Sequence, residues 1–201
     1  MRRPWAGPES PRMFENDFLD ALSRTHWAFV PLAYVPAVIW LSWASFTKSD
    51  LGVGGFVGLY VAGIFIWTLT EYWLHRTLFH WKPDAAWGER MHFLLHGVHH
   101  EWPHDKYRLV LPPGASVPLF FLFLGLWLLL FGDRGWAVHA GFVTGYMAYD
   151  LLHYYVHHGR PKMRLMRKLQ GHHMSHHFNK RYADKRYGVS SPLWDYVFRT
   201  R

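Results

Sequence analysis

The chain alternates long uncharged stretches with short polar ones, and this pattern predicts where helices cross a membrane. Residues 27–46 supply twenty positions without a charge and are followed by the polar residues 47–50. A second uncharged stretch, residues 52–70, begins after a link of five residues. A membrane span needs roughly 20 apolar residues, so the pattern predicts two antiparallel helices, the second ending near residue 74.

Two more uncharged stretches in the second half of the chain predict another hairpin. The first begins at residue 109, but prolines at 112, 113 and 118 indicate that its helix starts only near residue 115. The second contains Asp150, which is costly inside a membrane and marks a candidate functional position. The predicted fold is an all-α integral membrane protein with four transmembrane helices in two hairpins, over residues 27–46, 52–74, 115–132 and 135–156.

The positive charges predict how these helices are oriented. Twenty of the 22 Lys and Arg residues lie in residues 1–26, 75–114 and 157–201, and only Lys48 and Arg134 lie in the two short links. Because positive charge favours the cytoplasmic side, both termini and a His-rich helical cap, formed by residues 75–114 and 157–201, are expected to be cytoplasmic. The competing interpretation is a soluble bundle in which two apolar hairpins are buried.

The first 26 residues are predicted to form a separate segment before a single membrane domain, residues 27–201. In this segment the apolar residues Phe14, Phe18, Leu19 and Leu22 fall at helical spacing beside acidic residues. This pattern is typical of an amphipathic helix on the bilayer surface. The opening residues carry arginines without an apolar core, so no secretory signal is expected and the chain is expected to start near Met1.

Composition narrows the chemistry. Twelve Trp and an aromatic content of 19% suit a membrane interface, while the mean hydropathy of −0.10 averages apolar stretches with a polar, basic remainder. The chain has no Cys, which excludes disulfides, thiolate metal sites and iron–sulfur clusters. Because sixteen residues are His, any metal site is expected to be built from His with Asp or Glu.

Four histidine clusters lie at the predicted cytoplasmic ends of the helices. His75 and His80 are five residues apart, about 140° on an α-helix, so we expect the helix to end or bend between them. Two clusters have i, i+3, i+4 spacing on one helix face, and another has one-turn spacing. A mononuclear site rarely uses more than four protein ligands, so ten histidines in these clusters predict two metal ions. The predicted ligands are His75, His80, His96, His99, His100, His153, His157, His173, His176 and His177.

Two carboxylates lie close to these clusters in the sequence. Glu71 precedes His75 by four residues, and Asp150 precedes His153 by three. Metal-bound imidazoles usually donate their second N–H to a carboxylate or carbonyl, so both are predicted as supporting partners; alternatively, they end helices in the polar interface. Six histidines outside the pattern are expected to be interfacial or supporting: His26, His92, His104, His139, His158 and His172.

Beyond these clusters, three segments resemble a known family. DKYRLVLPP at 105–113, FENDFLDALSRTHW at 14–27 and YGVSSPLWDYVF at 187–198 are similar to the fatty acid 2-hydroxylases, within the histidine-box fatty acid hydroxylase and sterol desaturase superfamily. The resemblance implies the same ten histidine ligands and two iron ions in the active enzyme, with zinc possible in purified protein. It also implies O2 as co-substrate and hydroxylation at C2 of a fatty acid or of a sphingolipid N-acyl chain.

The resemblance also bears on partners. Eukaryotic members often carry a cytochrome b5 domain that is missing from this sequence, so a separate donor is expected, such as cytochrome b5 or ferredoxin with its reductase. A basic C-terminal segment could dock this donor: Lys180, Arg181, Lys185 and Arg186. Anionic-lipid contact and positive-inside topology are the alternative role for these residues. Tyr107 and Arg108 are predicted to meet a lipid head group, with a role in topology as the alternative, and no nucleic-acid partner is expected.

The sequence is compatible with two membranes and with two competing functions. The membrane is expected to be a bacterial inner membrane or the endoplasmic reticulum. One alternative keeps the enzyme class but changes the substrate, to a carotenoid or a sterol that is hydroxylated or desaturated. The other is a membrane metal transporter, whose site would lie near the bilayer midplane, where only His139 falls.

Overall fold

The computed structural model describes residues 10–201, and within them the chain is helical with no β-strand. Six helices build the membrane region and the cap: α2 (Phe29–Lys48), α3 (Val53–Trp73), α6 (Pro113–Phe131), α7 (Gly135–His158), α8 (Arg164–Phe178) and α9 (Leu193–Val197). Three further α-helices, of four to six residues, precede or link them: α1 (Asp17–Leu22), α4 (Gly88–His92) and α5 (Val98–Glu101). Two π-helical segments, Leu74–Phe79 and Phe93–Gly97, and two 3-10 turns, Gly132–Arg134 and Lys180–Tyr182, complete the set.

Three continuous helical stretches are long and apolar enough to cross a membrane: Phe29–Lys48, Val53–Phe79 and Pro113–His158. The third has 46 residues, so a straight helix would be about 69 Å long, more than twice the hydrocarbon thickness. It folds back instead at Gly132, which has a φ of +58°. The rings of Phe123 and Phe142 lie 4.6 Å apart, which shows α6 and α7 packed side by side.

Helix α6 begins at Pro113, two residues earlier than the sequence predicts. A proline in the first turn of a helix gives up no hydrogen bond, because the first amides have no intrahelical acceptor. Pro112 and Pro113 therefore mark the start of this helix without delaying it, and Pro118 lies inside it.

Helix α7 is the centre of the bundle and packs against α2, α3 and α6, whereas α2 and α3 hardly touch each other. Glycine allows the closest of these contacts. A Cβ at Gly141 would lie 1.9 Å from the carbonyl oxygen of Tyr60, and one at Gly63 would lie 2.1 Å from that of Val138. The backbones of α3 and α7 therefore approach to a distance that only glycine permits.

The N-terminal segment is tied down by a buried carboxylate. Asp20 accepts hydrogen bonds from the backbone amides of Met13 and Phe14, at 2.6 and 3.3 Å. Helix α1 leaves Phe18 exposed, as a helix lying on a bilayer surface would. The first nine residues of the predicted segment 1–26 lie outside the described residues.

The C-terminal residues wrap around the end of α3. The indole of Trp194 donates to the hydroxyl of Thr68 at 3.0 Å. The hydroxyls of Tyr72 and Thr200 form a buried hydrogen bond of 3.0 Å. These contacts hold the chain after α8 against the histidine-bearing end of α3.

Candidate metal centre

His75 lies on a wider helix than the sequence predicts, and His80 follows directly after the end of that helix. Helix α3 continues without a break into the π-helical segment Leu74–Phe79 and ends there, with His80 as the C-cap, so the helix does end between the two histidines as expected. A π-helix pairs residues five apart in its hydrogen-bond pattern, which brings both imidazoles to the same side. A second π-helical segment, Phe93–Gly97, carries His96.

The ten histidines form two groups of five, and within each group one nitrogen from every residue lies within 4.8 Å of the others. The first group contains His75, His80, His96, His100 and His176. The second group contains His99, His153, His157, His173 and His177.

This partition divides the histidine clusters of the sequence. His96 and His100, one turn apart, face the first group, while His99 between them faces the second. On α8 the neighbours His176 and His177 likewise belong to different groups. The short helix α5 and helix α8 therefore lie between the groups and contribute to both.

The spacing of the imidazole nitrogens fits bound metal ions. In the first group, the Nε2 atoms of His75 and His96 are 3.1 Å apart, as are those of His80 and His176. In the second group three such pairs are 2.9 to 3.1 Å apart. Two nitrogens bound about 2.1 Å from one ion are about 3.0 Å apart when they subtend a right angle. The donor set of each group therefore fits one metal ion.

The protonation of the cap histidines also suits metal binding. Burial, reinforced by repulsion from neighbouring imidazoles, holds the pKa of His96 and His99 well below the usual range. The same causes, burial first, lower the pKa of His80 to about 3. These imidazoles are therefore neutral at physiological pH, which is the form that binds metals.

Backbone carbonyls support two imidazoles of the first group. The Nδ1 of His75 donates to the carbonyl of Tyr187 at 2.6 Å. The Nδ1 of His176 donates to the carbonyl of Lys185 at 2.6 Å and lies 3.3 Å from that of Tyr182. Since the Nδ1 atoms are used in this way, the Nε2 atoms are left to face the centre of the group.

Glu71 does not pair directly with His75, contrary to the prediction. Its carboxylate accepts from the backbone amides of Val189 and Ser190, at 2.7 and 2.8 Å, and from the Ser190 hydroxyl. It therefore holds the segment that carries the carbonyl of Tyr187. Its influence on His75 passes through this segment.

The predicted pairing of Asp150 with His153 is also absent. The Asp150 carboxylate accepts from the backbone amide of Leu111 at 3.3 Å. The Nδ1 of His153 is buried and has no hydrogen-bond partner among residues 10–201. A separation of three residues put the two side chains on one helix face, but they point to different neighbours.

Arg108 is not a free cation that awaits a lipid head group. Its side chain is 2% exposed and pairs with Asp20 at 3.1 Å. It also donates to the Ser23 hydroxyl and to the carbonyl of Pro11, both at 2.6 Å. Arg108 therefore ties residues 10–23 to the cap, while Tyr107 beside it is exposed.

A cavity of about 490 Å³ leads from the histidine groups into the helix bundle. His96, His99 and His153 border it at one end, and along α7 its lining runs back as far as His139. His139 and His153 are fourteen positions apart, which corresponds to about 21 Å of helix. Most of the lining is aliphatic or aromatic, including Phe120 and Phe142, so the cavity suits a long apolar chain.

His139 differs from the prediction that it is interfacial or supports a metal ligand. It is fully buried, and neither ring nitrogen has a hydrogen-bond partner within the described chain. Its ring packs against Phe120 at 4.7 Å. It therefore belongs to the wall of the cavity, at the end far from the two groups.

Some site residues carried no usable signal in the sequence. Asp195 is fully buried. In the sequence it belongs to a segment that resembles a family but has no spacing that marks it as a site residue. Tyr34 and Ser116 line the cavity from two other helices. Nothing in the local spacing of these residues connects them with the histidines, because long-range packing brings them there.

Comparison with known proteins decides the family. The sequence profile of the fatty acid hydroxylase family matches residues 60–200. The chain belongs to this family. A dihydroceramide fatty acyl 2-hydroxylase of Arabidopsis thaliana is 40% identical over 201 residues, covering 100% of this chain and 84% of that protein. These matches confirm the resemblance to fatty acid hydroxylases that the sequence indicated.

Further relatives agree with this membership. A fatty acid 2-hydroxylase of Rattus norvegicus is 40% identical over 210 residues, covering 94% of this chain and 56% of the rat protein. A solved structure of full-length scs7p, in which only the hydroxylase domain is visible, superimposes with a TM-score of 0.84 at 39% identity. That match covers 92% of this chain and 69% of the other.

Proposed function

We propose that this member of the fatty acid hydroxylase family adds a hydroxyl group at C2 of a lipid acyl chain. The acyl chain is that of a fatty acid or the N-acyl chain of a sphingolipid. The observation that carries the proposal is the placement of two five-histidine groups at one end of a long apolar cavity. Relatives named as fatty acyl 2-hydroxylases, similar over the whole chain, support the position of the hydroxyl.

The two groups are proposed to hold one iron ion each, with all ten histidines as ligands. The spacing of their Nε2 atoms and the neutral state of the cap imidazoles support this assignment. Iron with O2 and two electrons supplies the oxidation of an unreactive C–H bond, which no amino-acid side chain can perform. Zinc is proposed as an alternative occupant in purified protein.

The protein's contribution is to position the lipid. The acyl chain lies along α7, where Phe120 and Phe142 exclude water and favour a hydrocarbon chain over a polar ligand. The carbon next to the carbonyl lies beside His99 and His153, and the polar head faces the cap. Confinement of the chain in one extended arrangement presents a single carbon to the metal centre.

The proposed topology has four spans, formed by α2, α3, α6 and α7, with both termini and the histidine cap in the cytoplasm. The distribution of Lys and Arg supports this orientation. The fold-back at Gly132 supports the division of the longest apolar stretch into two spans. Residues 27–201 act as one membrane domain, in a bacterial inner membrane or in the endoplasmic reticulum.

A separate carrier is proposed to deliver the electrons, such as cytochrome b5 or ferredoxin with its reductase. Lys180 and Arg181 are exposed and could attract an acidic carrier. Lys185, in the same basic segment, holds His176 through its carbonyl. This segment therefore provides a short route from the protein surface to the first group.

Lipid profiling by mass spectrometry tests the proposal in a host that lacks 2-hydroxylated lipids and is supplied with a reductase and electron carrier. Expression of the chain should produce 2-hydroxy acyl chains. His99→Ala should abolish them, while His104→Ala, which changes an exposed histidine outside both groups, should not. Hydroxylated carotenoids or oxidised sterols would identify another substrate class, and no new oxygenated lipid would reject the proposal.

A further inference from the structure

The two histidine groups differ in what lies behind their imidazoles. In the first group, His75 and His176 each donate the Nδ1–H to a backbone carbonyl at 2.6 Å. In the second group the Nδ1 atom of every member is buried without a hydrogen-bond partner among residues 10–201: His99, His153, His157, His173 and His177. Only the first group is therefore held by hydrogen bonds from outside.

Both carbonyls belong to one short segment, residues 182–187, and buried Asp195 fixes its end. The Asp195 carboxylate accepts from the backbone amides of Tyr187 and Gly188, at 3.0 and 2.9 Å. It also accepts from the hydroxyl of Thr200 at 2.7 Å and lies 3.0 Å from the Nε2 of His172. Asp195 has no exposed surface and therefore no solvent contact.

Hydrogen bonds of this kind matter for metal binding. They fix the tautomer and the ring orientation of a ligand and increase its basicity, and their loss typically weakens metal binding by about 10- to 100-fold. An imidazole without such a bond must be ordered by the ion itself. The imidazole rings of the first group are therefore oriented before an ion binds, whereas those of the second group are less strongly oriented.

We propose that the two metal sites are unequal: the first group binds its ion more tightly and fills first, and Asp195 is the positioning residue that creates this difference. The inference rests on the proposed function, since it requires that both groups bind metal. Asp195 touches no atom at the centre of either group and acts through Tyr187 on His75.

Two neighbouring histidines allow one site to be weakened while the other keeps all five of its histidines. His177→Ala removes a ligand of the second group and leaves the first complete, and His176→Ala does the reverse. Each full-length variant would be purified in detergent, depleted of metal and titrated with Fe²⁺ without oxygen against a competing chelator. We expect the His177→Ala chain to bind its first ion, at the intact first group, about 10- to 100-fold more tightly than the His176→Ala chain binds its first ion, at the intact second group.

Asp195→Asn in both backgrounds tests the cause. It should weaken the intact site of the His177→Ala chain by about 10- to 100-fold and leave that of the His176→Ala chain unchanged. Asp184→Asn, in an exposed residue of the same segment, is the matched control and should change neither. Asp195→Glu keeps the carboxylate but lengthens the side chain, so it should cause a smaller loss at the same site; this selective loss tests the inference if Asp195→Asn does not fold.

Three results would overturn the inference. Equal affinity in the two single-histidine variants would remove the inequality of the sites. Equal weakening of both sites by Asp195→Asn would reduce Asp195 to a general structural role. Failure of the unmutated chain to bind any ion would reject the proposed metal centre and the inference with it.

Discussion

The close contact between α3 and α7 gives a sharp prediction for Gly141→Ala. The added Cβ would lie 1.9 Å from the carbonyl oxygen of Tyr60. Carbon–oxygen contacts in proteins are rarely closer than about 3.3 Å, so the two helices must separate by about 1.4 Å. The obstructing atom belongs to a helical backbone and cannot rotate away.

The size of the effect follows from this separation. Overpacking of a well-packed core typically costs about 1–3 kcal/mol, and we expect the upper end because the obstacle is backbone. For a protein of this length, about 3 kcal/mol corresponds to a fall of about 6–12 °C in the unfolding midpoint. Because α3 leads to His75 and α7 carries His153, misplacement of about 1 Å should also lower turnover by about 100-fold.

Thermal unfolding in detergent, combined with metal content and turnover, measures this prediction. Gly125→Ala is the matched control, because a Cβ at Gly125 meets no atom within 4 Å. That variant should unfold at or above the midpoint of the unmutated chain. Equal unfolding midpoints and equal turnover of Gly141→Ala and Gly125→Ala would refute the close contact between α3 and α7 at Gly141.

Four further predictions concern the Arg108–Asp20 ion pair, the cavity and the histidine groups. Arg108→Met should lower the unfolding free energy by about 1.5–3 kcal/mol, because it removes one charged hydrogen-bond partner of the Asp20 carboxylate and leaves Arg24 as the other. The same change should cost less in an Asp20→Asn chain, and an equal cost would contradict the pairing. His139→Ala should open the far end of the cavity and shift the hydroxylated products toward longer acyl chains in mass spectra, whereas an unchanged chain-length profile would contradict its place there. Because burial lowers the pKa of His99, metal content should be nearly equal at about pH 5.5 and about pH 7.5, and loss of half the metal near pH 6.5 would contradict it. The metal-free chain should instead lose stability as the pH falls below about 6.5, because the buried imidazoles bind protons at that pH only after the chain unfolds.

The sequence was sufficient to select the histidines that meet in the fold. Ligands one turn apart on a helix reveal themselves by local spacing, as with His153 and His157. The assignment of each histidine to a group could not be predicted, because His99 and His100 are equally available on their helix. Only the packing of α8 against the other helices places His99 and His100 in different histidine groups.

The supporting residues show where local reasoning failed. Glu71 is one turn from His75 in sequence, yet its partners are the amides of Val189 and Ser190, far along the chain. An α-helical wheel also misplaces His80, because the helix widens to a π-helix after Trp73. Long-range contacts and helix irregularity are the two features that residue spacing does not encode.

The central claim is that the two histidine groups support O2-dependent hydroxylation at C2 of an acyl chain. Purified protein, loaded with iron and supplied with a reductase, an electron carrier and an acyl lipid, would be reacted under heavy-isotope O2. Fragmentation in the mass spectrometer should find one heavy oxygen, at C2, and none with His99→Ala. A label at another carbon, or oxygen derived from water, would contradict the proposed function.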